Sequence, residues 1–433
     1  MIVNEGLRRE IGTWGLVANS INIIIGAGIF ILPALVAERL GSGSLVAYLI
    51  CGLLMLLIMI CFADVGKKIT VTGGAYSYIE TAFGKFAGFL TANIFIFGAA
   101  VMANAAVANG LADTLSYFFP LFKQLWIRIL FFAIMFGSLA YFNVRGIKGA
   151  MTIVKFNTLA KLVPLLMITV LGWFFFKRSD IVLTARNSIG DIGEISLILL
   201  FAFVGAETAL NVSGEIKDPE RTIPRGIIIS VAIVVILYMM IQLVVQTILG
   251  GSIAGHKDAP LAETAKIMFG TSGTLIVIIG AAFSMFGNIS GMVLNMPRIL
   301  YAAARDNIIP SKSIASIHPL FKTPHVAIII YSFLGFIFAS IGEFRQLAML
   351  SSASYLIIYL GVALSVIKLK YSDNSMGGRR RIVRIFLLPV ITSAGIIWVL
   401  TNLPKNELAG MAIFIGILST VWIIISIARK HNY

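Results

Sequence analysis

Three short stretches concentrate the residue types that can do chemistry. The first reads Asn22-Ile23-Ile24-Ile25-Gly26-Ala27-Gly28-Ile29-Phe30, with Pro33 following about one turn later. The second is Phe201-Ala202-Phe203-Val204-Gly205-Ala206-Glu207, and the third is Thr158-Leu159-Ala160-Lys161-Leu162-Val163-Pro164. All three sit inside apolar runs, where Gly and Pro weaken a helix interior. A break at that depth exposes backbone N–H groups and the positive end of a half-helix, which suit a carboxylate, while freed carbonyls can take an ammonium. A lone pair of glycines can equally serve close helix packing; a second interruption one repeat later, beside an acid, favours the break. Glu207 can receive a proton, hold a cationic group, or hydrogen-bond the unwound backbone of the first span. Lys161 can lose its proton when desolvated, or stand as a fixed cation on broken-helix carbonyls. Two turns from Lys155, it is badly placed to snorkel.

Other chemistries lack their residues. His256, His318, His325 and His431 fall in predicted loops or the tail, so no intramembrane His/Asp or His/Glu set exists for hydrolysis or metal binding. No metal and no cofactor is expected, and an enzyme is disfavoured. Cys51 and Cys61 share one apolar run and read as packing residues, not as a disulfide framework.

The elements that must position these groups are set by composition. Of 433 residues, 59% are hydrophobic and 12% charged, against roughly 45–50% and 25% in soluble domains, and the mean hydropathy is +0.96. Too few polar residues are present to cover a water-facing surface, so the solvent for most of the chain is a bilayer. Twelve runs are long enough to cross as helices: 13–37, 44–64, 84–111, 125–144, 150–176, 195–213, 225–249, 272–303, 325–341, 345–367, 384–402 and 409–428. They are continuous, unlike the alternating ten-residue strands of a barrel. Met1–Gly12 lacks the basic end and cleavage site of a secretory signal, so the first helix is expected in the mature protein.

An even number of spans puts both termini on one side. With the N-terminus inside, that side carries more than twice as many Lys and Arg as the other, including Arg8, Arg9, Lys67, Lys68, Arg221, Arg298 and Arg379–Arg381. The positive-inside bias makes both termini cytoplasmic. The net charge of +15 is thereby a topological signal and not a nucleic-acid footprint. The Gly377–Arg381 cluster reads as a solvated loop, with anionic-lipid contact as the lesser reading.

Seven segments, in order along nearly the whole chain, resemble the amino acid–polyamine–organocation superfamily, and within it the basic amino acid and polyamine antiporters. They are Gly26-Ala27-Gly28-Ile29-Phe30 with Leu32-Pro33-Ala34; Gly73-Gly74-Ala75-Tyr76 to Phe83-Gly84; Asn143-Val144-Arg145-Gly146; Gly172-Trp173-Phe174; Phe203-Val204-Gly205-Ala206-Glu207 with Lys217–Pro224; Ala304-Arg305-Asp306 with Pro310; and Thr323-Pro324. The resemblance implies an all-α polytopic protein of twelve helices with a five-plus-five inverted repeat and broken helices one and six. On that plan residues 1–12 are a cytoplasmic N-terminus, 13–194 the first repeat, 195–370 the second, and 371–433 the last two spans and a short tail. It implies secondary transport of amino acids or amines across the cell membrane by alternating access. The substrate would lie on Ile24, Gly26, Ala27 and Gly28 of span one, Phe201, Ala202 and Val204 of span six, and Ser352 of span ten, with Phe201, Glu207 and Lys161 gating or coupling.

Departures from the group carry information. Phe201 stands where arginine antiporters commonly have Trp, weakening cation–π attraction, and Ala27 stands where several relatives have Ser. Lys161 stands where the arginine antiporters tend to have a small residue; the proton-coupled and heteromeric neutral amino acid permeases carry lysine there, which looks like a replacement for bound sodium and implies sodium independence. Glu207 is without a second intramembrane carboxylate, since Asp64 and Asp113 fall at span ends, so neutral amino acids compete with cationic ones. Exchange and proton-coupled uptake both stay open. A transport-inactive sensor on the same fold is the alternative class, and a channel lacks a filter segment. Spans eleven and twelve carry no site motif and are candidates for a homodimer interface.

Overall fold

A computed structural model describes residues 11–69, 74–145, 150–175, 189–208, 210, 216–256, 259–305, 308–321, 323–371 and 386–431. The Gly377–Arg381 cluster and parts of the resemblance segments, Gly73, Gly146 and Asp306, lie outside them, as does most of the 1–12 terminus. The described residues are nearly all helical, with one isolated bridge between Ile11 and Ile216. This is the expected answer to a solvent that cannot hydrogen-bond the backbone: each N–H and C=O must be satisfied within its own segment.

Fifteen helices carry the fold among the described residues. In the first half they are α1 (Thr13–Ile24), α2 (Gly28–Leu40), α3 (Ser44–Gly66), α4 (Ala75–Phe83), α5 (Lys85–Asn93), α6 (Val101–Ser116), α7 (Leu125–Arg145) and α8 (Ala150–Leu171). The second half holds α9 (Ile189–Leu200), α10 (Pro219–Leu249), α11 (Pro260–Arg305), α12 (His325–Ile341), α13 (Phe344–Tyr371), α14 (Leu388–Thr401) and α15 (Lys405–His431). A π-helical stretch, Ile94–Ala100, joins α5 to α6. Among the described residues, seven helical stretches are long and apolar enough to cross a membrane: Gly28–Gly66, Lys85–Ser116, Leu125–Arg145, Pro219–Ile253, Pro260–Arg305, Phe344–Leu369 and Lys405–Ile427. Shorter apolar helices occupy Lys161–Phe175, His325–Ile341 and Leu388–Thr401.

The expected runs and the observed helices differ in three places. The expected 13–37 run is divided, with Ile25–Ala27 between α1 and α2. For 195–213, α9 begins earlier and stops at Leu200, and turns follow from Phe201. The 272–303 run lies within α11, which starts twelve residues sooner and bends at Gly270, where φ is +64°. All three follow from glycine, whose backbone freedom lets a helix stop or turn within an apolar run.

The interior is apolar, packed by Leu, Ile, Val, Ala and Phe, with polar aromatics set into it: Tyr48, Tyr78, Tyr238, Tyr331, Tyr355 and Tyr359 are all fully buried, as is Lys161. The outer faces of α7 and α15 present Trp126, Ile134, Ile413 and Ile424, an apolar surface that only lipid or another apolar body accommodates. Around the α1–α2 junction stand α8, α10 and α11, with α9 against α2 and α3. This places the two interrupted stretches side by side in the centre.

Candidate functional site

The C-terminal end of α1 would be costly in a hydrocarbon interior, because its last carbonyls have no intrahelical partner. Here they are met one by one. Ile25 N–H donates back to the Ile21 carbonyl at 3.0 Å. Lys161 Nζ of α8 donates to the Asn22 carbonyl at 2.7 Å and the Ile25 carbonyl at 3.1 Å. Asn288 Nδ2 of α11 reaches the Ile23 carbonyl at 3.3 Å, Tyr238 Oη of α10 the Ile24 carbonyl at 3.4 Å, and Ser284 Oγ of α11 the Ile25 carbonyl at 3.2 Å. Three helices thus cap a fourth, and the lysine puts its charge at the negative end of the α1 dipole. Lys161 thus lies on the broken-helix carbonyls, as one of its two roles read from sequence requires, and each of these carbonyls already accepts at least one hydrogen bond from the protein itself.

The opposite side of the junction differs. The chain turns at Ala27, and α2 begins at Gly28 with no side-chain cap on its first turn. Its leading N–H groups form an anion-favouring end. Gly28 is required there by close approach: a Cβ would lie 2.7 Å from the Cβ and 2.8 Å from the Cα of Ala202. A backbone atom cannot yield as a flexible side chain can.

The second interruption is built around Gly205. The N–H groups of Phe201, Ala202, Phe203 and Val204 return to carbonyls 198–200, tightening the end of α9. Gly205 then adopts φ +117°, a conformation that side chains other than hydrogen rarely take. A Cβ there would also sit 2.9 Å from Ile23 Cγ2. Glu207 holds this turn: both carboxylate oxygens accept from Gly205 N–H, at 3.1 and 3.0 Å, and Oε2 accepts from Tyr359 Oη at 2.7 Å. The expected bond from Glu207 to the backbone of span one is corrected here. Its partners are its own turn and α13, and the contact with span one is the packing of Gly205 on Ile23.

The remaining expected residues surround this pair of breaks. Ala27 and Gly26 face α6 and α11, the latter through Asn288, 3.2 Å from where a Gly26 Cβ would stand. Val204 is half-buried, while Phe201, Ala202 and Ile24 are buried. Ser352 on α13 is fully buried and its Oγ has no hydrogen-bond partner among the described residues. Phe201 meets Phe344 edge to face, with ring centroids 5.7 Å apart. Sequence reasoning passed over Phe344, Tyr238, Tyr359, Ser284 and Asn288. Asn288 had a signal, an amide inside an apolar run that it shares with Asn295, whereas a Tyr or Ser in such a run is indistinguishable from an ordinary packing residue.

Residues 11–428 match the amino acid permease family. The chain belongs to that family, within the amino acid–polyamine–organocation superfamily. It is similar to the serine/threonine exchanger SteT of Bacillus subtilis, at 30% identity over 96% of both chains. It is also similar to two further B. subtilis proteins, the methylthioribose transporter, at 24% identity over 99% of this chain and 95% of that one, and the branched-chain amino acid permease BcaP, at 22% over the same shares. The permease is therefore a multi-pass membrane transport protein and not an enzyme.

The two ends of the permease are unlike. At the Leu40 end a cleft of about 510 Å³ opens between α2, α6, α7, α12 and α13, with Ile31 and Phe344 in its lining. Gly110 of α6 shows how near this cleft comes to the breaks: a Cβ on it would lie 2.6 Å from Ile31 Cδ1 and 3.5 Å from both Ala27 Cβ and Phe344 Cδ2. At the Ile11 end, Lys217 N–H donates to the Ile11 carbonyl at 2.9 Å, tying the start of the chain to the strand-like segment before α10. Beneath Glu207 runs a ladder of buried rings, Tyr78, Phe62, Tyr359, Tyr355 and Phe95, with successive centroids 6.2, 5.5, 5.8 and 5.7 Å apart.

Proposed function

We propose that this permease exchanges neutral amino acids across the cell membrane by alternating access, independently of sodium. The observation that carries the reading is that both buried charges beside the breaks are already matched from within. Lys161 is bonded to two carbonyls of span one, and the Glu207 carboxylate to Gly205 and Tyr359. A substrate with a net charge would enter an apolar centre with no unengaged counter-charge among these groups, which is costly. A zwitterion sets its carboxylate at the uncapped start of α2 and its ammonium toward the backbone of the second break, and adds no net charge. In this reading Gly26, Ala27, Gly28, Phe201, Ala202 and Val204 form the backbone cradle, Ser352 offers a hydroxyl to a polar side chain, and Phe201 with Phe344 covers the substrate from the cleft.

Twelve spans in a five-plus-five inverted repeat, with both termini cytoplasmic, belong to the same proposal, as do the 13–194 and 195–370 repeat boundaries. They place the cleft on the outer face. The Lys161 ammonium, set where a bound cation would otherwise neutralise the carbonyls, supports sodium independence. The name of the relative SteT, a serine/threonine exchanger, supports small polar substrates and exchange. Proton-coupled uptake is the second reading, favoured by Lys161 having backbone carbonyls and no carboxylate as hydrogen-bond partners among the described residues.

The test is uptake of a labelled amino acid panel into sodium-free proteoliposomes, with and without unlabelled amino acid inside and with an imposed proton gradient. Uptake of serine, threonine or another neutral amino acid only into preloaded vesicles is the expected result. Preference for arginine or a polyamine would overturn the neutral assignment, and concentrative uptake into empty vesicles under the gradient would replace exchange by proton coupling.

A further inference from the structure

The 510 Å³ cleft has its own chemistry, distinct from the central breaks. One wall carries Arg128 of α7, fixed in place by Asp113 Oδ1 at 2.7 Å and by Asn109, whose Oδ1 it meets at 2.7 Å and whose carbonyl it meets at 3.4 Å. Asn109 is itself anchored by Nδ2 to the Ala339 carbonyl of α12 at 3.0 Å. A guanidinium has five N–H donors; three of these contacts leave two, on a side chain that is 22% exposed. A held arginine with donors to spare is a ready carboxylate receptor. Lys123, exposed, adds a second positive charge to the same lining.

Across the cleft Arg345 also lines the wall, held by Glu194 at 2.9 Å as Arg128 is held by Asp113, and Glu343 is the acidic group beside it. The C-terminal end of α12 at Ile341 lines the cleft too, and a helix C-terminus favours a cation. The following turn brings the exposed Glu343 into the lining, one residue before Phe344, the gate ring on Phe201. An apolar floor of Ile31 and Phe344 lies between the two charged walls.

We infer that this cleft is a second, outer docking site for a zwitterionic amino acid, with the carboxylate on Arg128 and Lys123 and the ammonium at the α12 end and Glu343. The inference rests on the transport reading above for the sidedness of the cleft and the class of ligand. Occupancy there holds the substrate directly over Phe344, so that the next step is passage beneath the Phe201–Phe344 pair. The site is wide for one small amino acid and partly solvated, which makes it a place of capture and release. A lining that offers both an arginine and a carboxylate suits a ligand carrying both charges better than a plain anion or cation.

The experiment compares the outer face, by uptake of labelled L-serine and L-leucine into intact cells, with the inner face, by uptake into inverted membrane vesicles. It uses the full-length wild type, Lys123→Gln, Glu343→Gln and the double variant, with Arg128→Gln as a further case. Lys123 and Glu343 are exposed surface positions, so their substitution leaves the fold in place even if Arg128→Gln, which loses the ties between α6 and α7, does not assemble. The double variant is expected to raise the outer-face KM about threefold to fivefold, the size of partly screened charge pairs, with unchanged maximal rate and unchanged inner-face KM. The salt dependence of the outer-face KM is expected to flatten with it. Equal KM values for wild type and double variant at the outer face, or equal rises at both faces, overturn the docking site while leaving the transporter intact. Absence of amino acid transport by the wild type overturns both readings together.

Discussion

The arrangement around Glu207 yields a sharp expectation. In Glu207→Ala, Gly205 N–H and Tyr359 Oη–H both lose their acceptor inside the protein. A buried donor left unsatisfied costs about 1–3 kcal/mol, so the second break is destabilised by roughly 2–6 kcal/mol, two such losses. If the cradle must be formed to bind substrate, a mid-range figure of about 4 kcal/mol lowers apparent affinity or exchange rate by about 10²–10³-fold. Tyr359→Phe removes a single O–H···O⁻ bond and is expected to cost about tenfold, from about 1.5–3 kcal/mol partly recovered by relaxation. Glu207→Gln keeps one acceptor oxygen, and Tyr359 Oη can rotate to accept from the amide, so it retains substrate preference and most activity. The double variant Glu207→Ala/Tyr359→Phe is expected to be no worse than Glu207→Ala, since the tyrosine has already lost its partner. The assay is L-serine exchange in proteoliposomes, normalised to monodisperse protein recovered from the membrane. Full additivity of the two single effects would refute the shared network. Abolished transport in Glu207→Gln would show that the carboxylate charge itself handles substrate or proton, against the neutral reading.

Three further substitutions probe the same centre. Lys161→Ala takes the donor from the Asn22 and Ile25 carbonyls and is expected to weaken exchange without altering its pH profile; a flattened pH profile would favour the proton-coupled reading instead. Gly28→Ala forces a methyl to within 2.8 Å of the Ala202 Cα, and overpacking of about 1–3 kcal/mol is expected to reduce exchange at least tenfold, whereas Gly137→Ala on α7, where a Cβ meets nothing within 4 Å, should leave exchange unchanged. Phe201→Ala removes the ring that meets Phe344 and is expected to impair exchange while the protein remains folded in the membrane, with wild-type uptake as the contrary result.

How much of this was readable in the chain depends on the range of the interaction. Gly26, Gly28 and Gly205 are legible because the interruption recurs one repeat later beside an acid, whereas a single glycine such as Gly52 or Gly335 serves only close helix packing, and both interruptions lie where those residues are. Lys161 is legible as an expensive charge, and the nearby glycines name broken-helix carbonyls as a partner. What the sequence cannot supply is which side chain from elsewhere completes each polar group. Tyr359 is 152 residues from Glu207, and Ser284 is 259 from Ile25; nothing local to a Tyr or Ser in an apolar helix marks it as a cap. The same limit applies to the misdirected expectation for Glu207. Its nearest acceptable donor is the N–H two residues back, exposed by the turn at Gly205, so it satisfies its own break before it can reach span one. Phe344 was hidden for another reason, since it stands at a span boundary, where an aromatic is ordinarily an interfacial anchor.

The difference between the two ends bears on which step of the proposed cycle is slow. Around the cleft, Glu194 of α9 accepts from Arg39 of α2 at 3.0 Å and from Arg345 of α13 at 2.9 Å. These pairs are about half exposed on the arginine side, and exposed ion pairs are worth little, typically below about 1 kcal/mol each. They can break and re-form as α2, α9 and α13 shift, guiding the helices without locking them. The Ile11 end is held differently, by fully buried rings whose separation would expose apolar surface and strip Glu207 of the Tyr359 hydroxyl at the same time. Closing the cleft over a bound amino acid is thus the cheap movement, and parting the ring ladder the expensive one. Because Tyr359 belongs both to the ladder and to the Glu207 turn, parting the ladder loosens the second break, so that in the proposed cycle release past the ladder and loss of the proposed cradle would be one event.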